Sequence, residues 1–216
     1  MNKKMLFAIQ ISSIIIMSGA LGGMFYFTDI YEDVEAGIVK VLCLSCIKLQ
    51  PITSREFTFK TANGKDHPDF IKETLRTKGP VFIQYSEPSC PGCEDMIRDV
   101  MKPYFNINFT DEKKSFETKV TVENISFYFY YIYIDTDDPK TEKTESFWVY
   151  DKDKIRGFPM FTIITIEYSH SGEIKPYYTS LYGDDFEDTD KKKYETFIDL
   201  LEFSKERYNE NIKAYK

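Results

Sequence analysis

Residues Val81 to Met96 read VFIQYSEPSCPGCEDM. An apolar strand pattern runs straight into Cys90-Pro91-Gly92-Cys93 and then into residues that continue as a helix. Two cysteines with two residues between them, at the start of a helix that follows a strand, close a small disulfide ring or open to two thiols. That arrangement suits thiol–disulfide exchange. At a helix N-terminus, unpaired backbone N–H groups and the positive end of the macrodipole favour a thiolate at Cys90, and the thiolate is the nucleophile. Cys93, one turn further in, is placed to resolve a mixed disulfide by attacking Cys90. Pro91 fits the first helical turn, where no intrahelical bond is lost.

Composition bounds the rest. A chain of 216 residues, 42% hydrophobic, buries one ordinary core with room for a tail or anchor. Its net charge of -7 offers no basic footprint, which argues against nucleic acid as a partner. The aromatic share of 16% falls largely in strand-like runs such as FYFYYIYI, Phe127 to Ile134, where core packing accounts for it.

Lys3 and Lys4 precede an uncharged run from Leu6 to Phe27 that is long enough to span a bilayer as a helix, and Asp29, Glu32, Asp33 and Glu35 follow it. The charge asymmetry keeps the N-terminus cytoplasmic and sends the remainder outward, the pattern of a signal anchor. A cleaved signal peptide ending near Ser18-Gly19-Ala20 is the competing reading. The anchor is preferred because the apolar run continues through Leu21, Met24, Phe25 and Phe27. Either way the main domain is exported. The expected organisation is therefore a stub and anchor over 1–27, a juxtamembrane segment over 28–55, and one domain over 56–216.

The juxtamembrane segment carries Cys43-Leu44-Ser45-Cys46, so all four cysteines lie in two Cys-x-x-Cys units. This second pair reads as a structural disulfide, packed thiols, a secondary redox pair exchanging with Cys90 and Cys93, or half of a zinc site. Zinc is the weakest of these, since compact ribbons place their knuckles closer together.

Downstream, EFTFKT from Glu56 reads as a strand and Asp66 to Lys78 as a helix, with His67 as an exposed turn residue. Met96, Ile97, Val100 and Met101 carry the helix after Cys93 toward Phe105. Asn106 to Asn124 is weakly patterned, and most of it reads as an insertion or a long connection before the aromatic strand. Then follow the aromatic strand to Asp135, a short helix over Glu145 to Lys152, and a strand entered through Gly157 and Pro159. A Ser171-Gly172 hairpin, a strand around Ile174 to Leu181 and an amphipathic helix from Asp190 to Tyr208 complete the chain.

From Glu56 onward these features resemble, in order, a thioredoxin-fold protein. They are a strand ending in Cys90-Pro91-Gly92-Cys93, a strand ending in YIYIDTDD, Ile155-Arg156-Gly157-Phe158-Pro159, a Ser-Gly hairpin and a terminal helix. The resemblance implies an α/β, thioredoxin-like fold, a central mixed sheet flanked by helices, here preceded by an N-terminal transmembrane helix. It implies an outward-facing, membrane-anchored thiol–disulfide oxidoreductase with Cys90 and Cys93 catalytic. It also implies a cis proline at Pro159 that faces the disulfide, with Phe158 and Pro159 contacting substrate. The implied partners are protein thiols and disulfides, the membrane, and a membrane or soluble redox partner. No metal and no organic cofactor is required.

Three departures stand out. Gln84 occupies the place where the family often has a buried Asp as proton acceptor, which leaves Glu87 or water for that role. Ser89 replaces the usual Trp, and Pro-Gly reverses thioredoxin's Gly-Pro. A proline directly after the first cysteine resembles glutaredoxins and exported disulfide oxidants, whereas Glu87, Glu94 and Asp95 disfavour a thiolate. The alternative function is an exported thioredoxin-like interaction module with structural disulfides or a Cys-bound zinc.

Overall fold

The structure, a computed structural model, describes residues 56–135 and 140–215. Strand β1, Val81–Ser86, is buried along its whole length. It lies at the centre of a five-stranded mixed sheet in the order β2-β3-β1-β4-β5, with β2 at Phe116–Val122, β3 at Ile125–Tyr133, β4 at Met160–Tyr168 and β5 at Ile174–Tyr182. β1 runs parallel to β3, while β4 and β5 run antiparallel to their neighbours. A strand covered on both faces reads as a continuous apolar run rather than an alternating one, which is why VFIQY has that composition.

Side chains alternate across β1 into two cores. Phe82 enters one with Met96, Val100, Phe127, Phe129, Phe161, Phe197 and Leu201; Val81, Ile83 and Tyr85 enter the other with Ile71, Leu75, Phe147 and Tyr150. Helix α1, Asp69–Thr77, buries Ile71 and Leu75, and its first amide donates to Glu142 Oε1 at 2.6 Å, which satisfies an N–H with no helical partner. α2, Pro91–Met96, continues through a π-helical turn at Ile97–Met101. Two short helices follow, α3 at Glu142–Glu145 and α4 at Phe147–Tyr150. Buried Tyr85 meets Ser146 Oγ at 2.8 Å between them. The last helix, α5 at Asp190–Tyr215, crosses β4: Thr165 Oγ1 donates to Ser204 O at 2.6 Å and Asn211 Nδ2 to Ile166 O at 3.2 Å.

Several sequence expectations change. EFTFKT contributes a single bridge, Thr58 to Tyr178, on the open side of β5 rather than a strand. The supposed insertion contains β2, joined to β3 by Glu123-Asn124, both at positive φ, the two-residue turn that matches sheet twist. The short helix expected from Glu145 starts earlier and splits in two, and α5 runs past Tyr208 to Tyr215.

His67 is also not an exposed turn residue. Its Nδ1 lies 3.3 Å from the Tyr150 hydroxyl, and its ring packs 5.8 Å from Tyr150 and 6.0 Å from Tyr178. Burial first, then the Lys72 ammonium, press its pKa down to about 4, against an opposing pull from Asp66. The unfolded chain takes up this proton near pH 6.5, so between about 6.5 and about 4 it binds more protons than the native state. The stability that neutral His67 confers is thus complete above pH 6.5 and is lost as pH falls toward 4. We expect a loss on the order of 2 kcal/mol from this group. His67→Gln should flatten that limb in urea unfolding compared at about pH 7 and about pH 4.5.

Among the described residues no helix is long and apolar enough to cross a membrane. The anchor expected over Leu6 to Phe27 and the Cys43–Cys46 pair lie outside the described residues.

Candidate functional site

The site forms where β1 ends. Ser89 turns the chain at φ 58, and Cys90 follows in an extended conformation as the N-cap of α2. Pro91, at the first helical position, loses no hydrogen bond there. Cys90 and Cys93 are joined as a disulfide with Cα atoms 5.3 Å apart, and the Cys93 amide donates to Cys90 Sγ at 3.2 Å. Cys90 is 8% exposed and Cys93 3%, so Cys90 is the more accessible residue of the pair. Met96, Ile97, Val100 and Met101, all buried, fix the helix on the sheet beneath the ring.

Sheet register brings a second element to the same end. Tyr85 pairs with Met160 and Met160 with Tyr182, so the entrance to β4 and the exit of β5 stand beside the end of β1. Pro159, joined to Phe158 by a cis peptide, sits at that entrance, and its carbonyl accepts from Gly183 N–H at 2.8 Å. The Phe158 ring stacks on Phe147 with centroids 4.7 Å apart. No hydrogen bond among the described residues engages the Phe158 backbone.

Sequence reasoning missed the two carboxylates that shape this corner. Asp151, 3% exposed, accepts from the amides of Ile155 at 2.9 Å and Arg156 at 3.2 Å and so holds the turn that delivers Phe158 and Pro159. Asp184 follows Gly183, and a methyl group placed on Gly92 would stand 2.8 Å from its Oδ1. Glycine in a helix costs about 1 kcal/mol against alanine, and here it leaves room for that carboxylate. The only local signal was Asp184 next to Gly183; the neighbours of Asp151, Tyr150 and Lys152, mark nothing.

The remaining candidates divide. Glu87 is exposed on the loop between β1 and α2. Gln84 is fully buried; its Nε2 donates to Ser86 Oγ at 3.4 Å while Oε1 has no hydrogen-bond partner among the described residues. Arg156 sits on an exposed turn with its guanidinium 5.8 Å from the Trp148 ring centre. Among the described residues no cluster of His, Cys, Asp and Glu has the makings of a metal site, and the joined Cys90 and Cys93 offer no thiolate to a metal. Compared with protein-family models, curated proteins and solved structures, the chain gives no match in any of the three.

Proposed function

We propose that the chain is a membrane-anchored, extracytoplasmic thiol–disulfide oxidoreductase of thioredoxin-like fold, acting on protein substrates. The observation that carries this reading is the Cys90–Cys93 ring at the start of α2, with the Cys93 amide on Cys90 Sγ, beside the Pro159 turn. A backbone N–H directed at that sulfur stabilises a thiolate when the ring opens. In the reduced protein the Cys90 thiolate attacks a substrate disulfide and forms a mixed disulfide, expelling one substrate thiolate. Cys93 then loses its proton and attacks Cys90 Sγ, which restores the ring and releases the second substrate thiolate. Two electrons pass to the substrate, whose sulfurs take up two protons.

Gln84 takes up no proton, so the Cys93 proton leaves through water or a carboxylate at the rim, with Glu87 as one candidate. Phe158, partly exposed and with its backbone unengaged, suits pairing with an extended substrate segment. The anchor and the outward orientation rest on the Leu6 to Phe27 run and its flanking charges. The low exposure of Cys90 favours a second reading, an interaction module with a structural disulfide. Cys90→Ser separates the two, because a binding module keeps its partner after that change whereas the enzyme loses turnover.

A further inference from the structure

The turn after β5 places a charge against the cysteine ring. Gly183, at φ 79, turns the chain out of β5 while its amide is held by the Pro159 carbonyl at 2.8 Å. The next residue, Asp184, then lies so close to Gly92 that an added methyl would meet its Oδ1 at 2.8 Å and its Cγ at 2.9 Å. Gly92 is inside the ring, directly before Cys93, so the carboxylate abuts the ring; salt screens exposed charges chiefly beyond about 8 Å. Gly92 itself has no left-handed φ that would call for glycine. Its missing side chain leaves that space to the Asp184 carboxylate.

Resting on the redox reading of Cys90 and Cys93, we propose that Asp184 is a positioning residue that sets the direction of that chemistry. Its negative charge opposes the Cys90 thiolate and so favours the disulfide, which makes the reduced pair an electron donor and makes protein disulfides its substrates. A like charge beside an ionising thiol raises the thiol's pKa and withdraws stabilisation from the reduced form. The other charged groups on the elements meeting here include Glu87 on the loop after β1, Glu94 and Asp95 on α2, Asp185 in the same turn as Asp184, and buried Asp151, which holds the turn before β4. Asp95 is tied to Arg98 at 2.6 Å, and Arg156 on the turn before β4 lies over Trp148. These remain when Asp184 is neutralised, so its removal subtracts one increment from a constant background.

The balanced test reaction is the Cys90–Cys93 disulfide plus two glutathione thiols giving two protein thiols plus glutathione disulfide. Two electrons and two protons move onto the cysteines, and above its pKa Cys90 then releases its proton to solvent. A neutral sulfur carries no charge for Asp184 to oppose, so the carboxylate acts on the balance through that thiolate. The effect therefore belongs to pH values above the Cys90 pKa and vanishes below it, where both redox forms are neutral at this sulfur.

The full chain, its Asp184→Asn variant and its Asp184→Glu variant would be equilibrated with glutathione at about pH 9 and about pH 6, on either side of an ordinary thiol pKa near 8.5. The dithiol at Cys90 and Cys93 would be counted by alkylation and mass spectrometry, and the Cys90 alkylation rate followed against pH. Asp184→Asn should raise the dithiol-to-disulfide ratio about three- to tenfold at the higher pH, leave it unchanged at the lower, and lower the Cys90 pKa. Asp184→Glu should keep parental values. Gly92→Ala, which retains the carboxylate but displaces it, should move in the direction of Asp184→Asn by less. An equal shift at both pH values, or none at either, overturns the inference. If the shift appears but the chain turns over no protein disulfide, the proposed function fails and the role of Asp184 stands. Turnover without the shift sinks the role of Asp184 and leaves the proposed function standing.

Discussion

Cys90→Ser should lower the rate of thiol–disulfide exchange by at least about 10³-fold, to the level of the solution reaction. A serine hydroxyl stays protonated at neutral pH and forms no bond of comparable reactivity with a disulfide sulfur. Cys93 does not take over, since it is 3% exposed behind the first turn of α2. The loss is chemical rather than structural. The ring closes over a sequence separation of only 3, and a loop that short constrains the unfolded chain by about 2 kcal/mol. The variant should therefore retain its circular dichroism spectrum and a cooperative urea transition while reducing no protein disulfide above background. Cys93→Ser should behave differently, completing the first attack and accumulating a mixed disulfide at Cys90 that is visible as a mass increase.

The largest effect on stability is expected at Phe82. Its ring lies 5.0 Å from Phe197, 5.5 Å from Phe129, 5.9 Å from both Phe105 and Phe127, and 6.3 Å from Phe161. One side chain on the central strand thus joins β3, β4, α5 and the segment after α2. Phe82→Ala removes a fully buried ring whose neighbours belong to several elements and collapse only partly, a change that costs about 3–5 kcal/mol. Against a total stability of roughly 5–15 kcal/mol, that is a large share. Phe82→Leu, closer in volume, should cost less than half as much. Urea midpoints of the two variants, at unchanged slope, check the ranking.

The elements legible in the sequence were those whose neighbours impose one pattern. β1 is covered on both faces and reads as an unbroken apolar run, and it ends in a cysteine pair at a helix start. β4 and β5 are joined by a short turn in which Gly172 takes φ 76, so the Ser-Gly pair marked it. β2 was harder, because an edge strand alternates exposed Glu117, Lys119 and Thr121 with neighbours of which only Val120 is fully buried, and Glu-Asn is a weaker turn signal than Asn-Gly. EFTFKT failed in the other direction: its aromatics pack Phe57 on Phe203 and Phe59 on Tyr177, which gives them a strand-like period without a ladder. His67 looked solvent-facing because nothing local announces Tyr150 and Tyr178, which arrive from distant segments.

The site divides along the same line. Cys90 and Cys93 share one short segment, and their ring follows from local spacing. The placing of Asp184 against that ring, and of the Pro159 turn at the same end of the sheet, depends on the register of β1, β4 and β5, and no window of sequence contains it. Gln84 shows the limit of a positional analogy. It is buried, but its Oε1, unpaired among the described residues, and its amide bond toward Ser86 make it a polar group that takes up no proton.

The central claim is that Cys90 and Cys93 form a redox couple, and its most direct test is a glutathione titration of the folded chain, read by alkylation and mass spectrometry. Both cysteines should gain label together, as one two-electron transition with a tenfold change per about 30 mV, between about -270 and -120 mV. A disulfide that stays closed below about -300 mV, the behaviour of structural bridges, and opens only when the chain unfolds would contradict the claim.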